Sequence, residues 1–247
     1  MEIPLLIHTH SEFSFLWKAA IPLLERYAAG FKIYWITESL GDYADAMPPN
    51  WNIRFYDQAL PWSQRMQPVI KEIPNDYVIY LQEDWLLIDT LSKERLEYFV
   101  KFMKERSCEF LMSFPCPTCD FFYSKTDPSY ITEDGDMVFH RRPHHYMQPA
   151  IWKKTLLEEL CAVPLKLSEY ENRWSIDLTG ARNCIGVFNK QFVNCHSTTS
   201  LMFPHMHAIH NGQWTFKRYP TLKALVESYG IDTSTRSVNT YWLIGFQ

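Results

Sequence analysis

Along the first half of the chain, short apolar runs alternate with longer stretches in which apolar residues recur at helical spacing. Strand signals fall at Leu5 to His8, Lys32 to Thr37, Ile53 to Tyr56 and Tyr77 to Leu81. The last of these is too short to cross a membrane and too β-branched and aromatic to favour a helix, so it reads as a central strand covered on both faces. A helix ending near Gly30 and another from about Trp62 to Glu72 separate the strands. Ser92 is a credible N-cap for a further helix carrying Leu96, Phe99, Val100 and Met103 on one face, and Phe110 to Phe114 resumes as a strand. This β-α-β rhythm predicts an α/β fold with a Rossmann-like, mainly parallel central sheet, right-handed crossovers and flanking helices.

After Pro115 the periodicity weakens. The turn Glu133-Asp134-Gly135-Asp136 reads as a hairpin, followed by a helix from about Trp152 to Cys161, a strand near Ile185 to Phe188, and a helix opened by Pro220 and closed by Gly230. No repeat or low-complexity linker interrupts the chain. It therefore reads as one globular unit over 1–247, with a regular half to about 115 and a smaller, less regular half from about 116.

Composition narrows the classes of partner. With 24 basic against 28 acidic residues, the chain lacks the concentrated positive field that a nucleic-acid surface needs. The fourteen Tyr and nine Trp suit either core packing or stacking on sugar faces and nucleobases. The opening Met1-Glu2-Ile3-Pro4-Leu5 is not a signal peptide, and no apolar run is long enough for a transmembrane segment. Six scattered cysteines read as reduced thiols of a cytoplasmic protein, any membrane association being peripheral. Cys116 and Cys119 with His140 and His144 superficially match a zinc site, but the spacing is too long for a finger, and ordinary buried thiols are the simpler reading.

The run from Tyr77 ends abruptly in Gln82-Glu83-Asp84. In open α/β sheets ligands collect at the carboxyl ends of strands, and carboxylates held there can bind a hard cation that also contacts phosphate. Together with Trp62-Ser63-Gln64-Arg65, Gln148-Pro149-Ala150-Ile151-Trp152-Lys153 and Glu169-Tyr170-Glu171, this order of blocks resembles a small bacterial and viral group of GT-A-fold, nucleotide-sugar-dependent glycosyltransferases. The resemblance runs to about Phe188.

It implies a nucleotide-diphosphate sugar as donor, a glycan or lipid-linked glycan as acceptor, and Mn²⁺ or Mg²⁺ held by the acidic triplet. Asp84 then becomes the main metal or donor carboxylate and Glu83 the second. Gln82 stands where the family has its first aspartate, which weakens metal dependence because hard cations gain affinity from ligand charge. Arg65 would grip phosphate or order the donor loop, Thr9, Glu38 and Gln82 would contact the donor, and Ser63 is either a helix cap or a donor ligand.

Glu171, with Glu169 as substitute, is the expected general base of an inverting transfer. Gln148 and Trp152 would floor the acceptor or sugar pocket, with core packing at a helix start as the other reading of Trp152. His205, His207 and His210 are candidates for a late metal or phosphate ligand, none of them singled out. Two other classes stand beside the transferase: a non-catalytic carbohydrate-binding protein on a degraded scaffold, and a metal-dependent phosphohydrolase using Asp84 with the late histidines.

Overall fold

A computed structural model describes residues 2–113, 130–135, 137–142, 149–164, 166, 184–189 and 202–239. The regular half contains β1 (Leu5–His8), α1 (Trp17–Tyr27), β2 (Ile33–Thr37), β3 (Asn52–Phe55), α2 (Trp62–Glu72), β4 (Tyr77–Gln82), β5 (Trp85–Leu87), α3 (Lys93–Glu105) and β6 (Phe110–Ser113). The remainder contributes β7 (Tyr130–Asp134), β8 (Met137–Arg142), β9 (Ala150–Lys153), α4 (Lys154–Cys161) and β10 (Cys184–Asn189). It ends with β11 (His205–His207), β12 (Ile209–His210), β13 (Gln213–Trp214) and α5 (Pro220–Ser228).

Among the described residues nine strands form one sheet, in the order β3-β2-β1-β4-β9-β6-β10-β8-β7. The block β3-β2-β1-β4 is parallel throughout. β9 and β8 run against their neighbours, and the other strands share one direction. The α/β class and mainly parallel sheet expected from the β-α-β rhythm are therefore the ones observed.

Strand alternation sends successive side chains to opposite faces, and each face has its own core. Leu5, Ile7, Ile33, Trp35, Ile79, Leu81 and Ile151 join Trp17, Ala20 and Leu24 of α1, Phe99 and Met103 of α3, and Leu222 and Val226 of α5. Leu6, Tyr34, Ile36, Val78, Tyr80 and Trp152 pack instead against Met66 and Ile70 of α2 and Leu156, Leu157 and Leu160 of α4. Burial on both faces explains why these strands read as continuous apolar runs.

Local signals hold at several boundaries. The Ser92 hydroxyl accepts the Arg95 N–H at the start of α3. Gly135 turns the β7–β8 hairpin at φ 57°, and Gly230, beyond α5, sits at φ 70°, both in the left-handed region open to glycine. One boundary differs from the sequence reading. Ala150 to Lys153 is a strand wedged between β4 and β6, so the helix begins at Lys154 rather than at Trp152. No described helix is long and apolar enough to cross a membrane.

Candidate active site

A cavity of about 720 Å³ opens at the carboxyl ends of β1 and β4. Its floor is His8, Gln82, Glu83 and Asp84; one wall is Gln58 to Trp62 with Arg65; His10, Glu12 and Phe13 face that wall, and Lys166 also lines the space. The floor exists because β1 and β4 are adjacent and in register, His8 opposite Gln82, so the polar residues that end both apolar runs arrive together.

The wall is held by two side chains. Arg65 Nε donates to the Leu60 carbonyl and an Nη to the Gln58 carbonyl, both at 2.7 Å, while its guanidinium lies 4.9 Å from the centre of the Tyr56 ring. Of the two roles the sequence offers Arg65, the observed bonds serve loop ordering. Glu38 accepts the Ser11 N–H at 2.7 Å, the Ser11 hydroxyl, the Tyr56 hydroxyl at 2.8 Å and the Gln58 amide at 2.8 Å. Burial opposes ionisation of Glu38, but the hydrogen bonds from Ser11, from its own backbone and from Tyr56 outweigh it and bring the pKa down to about 2. Its acceptor capacity is spent inside the protein, so Glu38 clasps the loop and does not line the cavity.

The floor is electrostatically different. Glu83 is buried and accepts the His10 N–H at 2.9 Å. Desolvation, followed by the charge of Asp84, pushes its pKa well above the usual carboxylate range. Burial likewise drives His8 down to about 3, aided by Arg65 and His10, so it is a neutral imidazole, stacked on Tyr56 with ring centres 5.5 Å apart. Asp84 has one oxygen 3.1 Å from His207 Nε2 and the other buried, with no hydrogen-bond partner among the described residues.

Gln82, Glu83, Asp84 and Arg65 thus come together around one cavity. Thr9 and Ser63 do not line it: both are fully buried, and the Thr9 hydroxyl donates to the Ile36 carbonyl at 3.1 Å. Trp152 needs a correction. It is fully buried on β9, its ring edge-on to Phe110 at 4.4 Å, so it fills the α2–α4 core and offers no face to an acceptor. Gln148, Glu169, Glu171, Cys116, Cys119 and His144 lie outside the described residues. His8, His10, Gln58 and Lys166 line the cavity without having been singled out. For His8 a signal existed, since it ends the first apolar run as Gln82 ends the fourth.

Among the described residues, no group of three or more His, Cys, Asp or Glu side chains converges as an all-protein metal site. Glu83 is engaged with the His10 backbone. Mg²⁺ is ordinarily held by one or two carboxylates together with waters and substrate phosphates, so Asp84 is the described residue that would hold the Mn²⁺ or Mg²⁺ that the resemblance implies.

No protein-family model matches the chain, and no curated protein matches its sequence. Solved structures similar to it include Staphylococcus aureus TarS 1–349 in complex with UDP, 8% identical, with a TM-score of 0.49 over 95% of this chain and 68% of that one. In another TarS 1–349 structure the match covers 65% of this chain and 49% of that one, at 12% identity and a TM-score of 0.41. The bifunctional IspDF of Campylobacter jejuni is 12% identical, with a TM-score of 0.46 over 82% of this chain and 52% of that one. The chain thus spans about half the length of the first of these proteins it matches. A CMP:2-keto-3-deoxy-manno-octonic acid synthetase complexed with CTP is also 12% identical, with a TM-score of 0.44 over 83% of this chain and 94% of that one.

Proposed function

We propose that the protein is a glycosyltransferase that moves a sugar from a nucleotide-diphosphate donor to a hydroxyl of a glycan or lipid-linked glycan. The observation that carries this reading is the cavity at the carboxyl ends of β1 and β4, with acids on its floor and the cations Arg65 and Lys166 on its sides. Its volume is in the range of small-ligand sites, and its position is where open α/β sheets bind ligands. Cationic side chains suit a diphosphate, and Asp84 suits a sugar hydroxyl.

In the proposed inverting reaction Glu171 takes the proton of the acceptor hydroxyl. That oxygen bonds to the anomeric carbon as the carbon–oxygen bond to the nucleotide diphosphate breaks, and the leaving group departs with the electron pair.

The test is a panel of nucleoside diphosphates and UDP-, GDP-, ADP- and CDP-hexoses, scored by thermal stabilisation with EDTA, Mn²⁺ or Mg²⁺ and then by product analysis. Selective stabilisation by one nucleotide and appearance of a glycosylated product are expected. Strict cation dependence would assign the Asp84 carboxylate to that cation. Release of inorganic phosphate without sugar transfer, or stabilisation by free sugars and by no nucleotide, would sink the reading.

A further inference from the structure

Asp84 sits in the turn between β4 and β5, where a side chain would ordinarily be free to rotate into solvent. Here it is gripped twice by one segment far along the chain. β11 pairs antiparallel with β5, setting His207 opposite Trp85, and just beyond it the Ala208 N–H donates to the Asp84 carbonyl at 2.6 Å. The His207 ring lies 4.0 Å from the Trp85 indole and within 5° of parallel, which fixes its plane. The Thr215 hydroxyl donates to the His207 carbonyl and holds the segment from behind. With ring and backbone fixed, Nε2 falls 3.1 Å from Asp84 Oδ2.

We propose that His207 is the positioning residue of Asp84: its Nε2–H holds one carboxylate oxygen and so fixes the carboxylate at the cavity floor. This rests on the glycosyltransferase reading for the reaction that the placement serves. The bond requires the tautomer with the proton on Nε2. It also accounts for the asymmetry of the carboxylate, one oxygen satisfied from within the protein and one buried with no partner among the described residues. His207 acts through Asp84 and not on substrate, so its removal should lower turnover more than donor affinity, because misplacement of a reacting group by about 1 Å costs up to about 10²-fold.

The experiment compares wild type with His207→Leu, His207→Gln and His207→Asn, measuring kcat and KM on the panel of UDP-, GDP-, ADP- and CDP-hexoses together with the unfolding midpoint. A Gln amide reaches the place of Nε2, whereas an Asn amide stops near Nδ1. His207→Leu and His207→Asn are expected to lose about 10- to 100-fold in kcat with KM changed by less than about threefold, and His207→Gln to stay within about fivefold of wild type. Should the Leu variant fail to fold, the Gln and Asn pair decides alone. Equal kcat in Gln and Asn overturns the proposal, as does recovery of the Asn variant in excess Mn²⁺, which would make His207 a metal ligand. Failure of wild type to act on any donor overturns the glycosyltransferase reading and this role with it, whereas wild-type turnover unaffected by all three substitutions overturns this role alone.

Discussion

The two sides of the cavity treat their charged groups in opposite ways. Behind the wall, Glu38 accepts hydrogen bonds from Ser11, Tyr56 and Gln58, and on it Arg65 spends donors on the Gln58 and Leu60 carbonyls. On the floor, Asp84 keeps a buried oxygen without a partner among the described residues, and Glu83, desolvated beside it, is pushed toward its protonated form. A satisfied network rigidifies what it joins. The difference separates residues whose hydrogen bonds hold the cavity wall from the carboxylates that follow β4 at its floor.

Four measurements would sharpen or break that division. The largest effect is expected at the floor: Asp84→Asn keeps the shape but removes the charge, and should lower turnover about 10²- to 10³-fold with an unfolding free energy within about 1 kcal/mol of wild type. Full activity in that variant would end the floor's claim on the chemistry.

At the wall the balance should invert. Glu38→Ala strips several donors of a charged acceptor and should cost about 2 to 3 kcal/mol of stability in urea titrations while kcat falls by less than about tenfold. A kcat collapse without loss of stability would move Glu38 into the chemistry. Arg65→Ala should be milder, weakening nucleotide affinity by about tenfold as the Gln58–Leu60 loop loses its anchor, measured by calorimetry. Unchanged affinity would leave the loop's order without consequence for binding.

The smallest effect is a pH dependence. Because Glu38 is held near a pKa of about 2 against an ordinary 4.5, its contribution is fully present above about 4.5 and disappears as pH falls from there toward 2. Acid titration of Glu38→Gln should lack that portion of the stability loss; identical acid profiles would contradict the assignment.

What could be read beforehand follows the range of the interactions involved. Strands β1, β2, β4 and helix α2 were legible because the apolar pattern of each is complete within its own segment, and the polar stop at Gln82-Glu83-Asp84 marked the cavity floor for the same reason. The sequence puts Trp152 at a helix start because a short apolar run followed by Lys153 and Lys154 is compatible with a strand or a helix; pairing with both β4 and β6 makes it a strand. Glu38 at a strand end looks the same in sequence whether it binds a ligand or clasps a loop. Sequence alone does not separate His207 from His205 and His210, since its placement comes from pairing and stacking with Trp85 of β5. The alternation His205-Met206-His207 was a weak strand signal, but nothing local identifies the partner of a three-residue strand.

The β5–β11 pairing also has a temporal meaning. Asp84 and His207 are 123 residues apart in the chain, whereas the pairings beneath them close shorter loops, 28 residues between Leu5 and Ile33 for β1–β2 and 74 between Leu5 and Ile79 for β1–β4. Long loops cost more entropy to close and form their contacts later. The acidic corner is therefore expected to be assembled last, on a sheet already folded, so that a growing chain carries the floor of its cavity well before it carries a fixed Asp84. Pulse-labelling hydrogen exchange during refolding would see this as protection of the Ile79 amide ahead of the Ala208 amide; simultaneous protection of the two would mean that the corner and the sheet form as one unit.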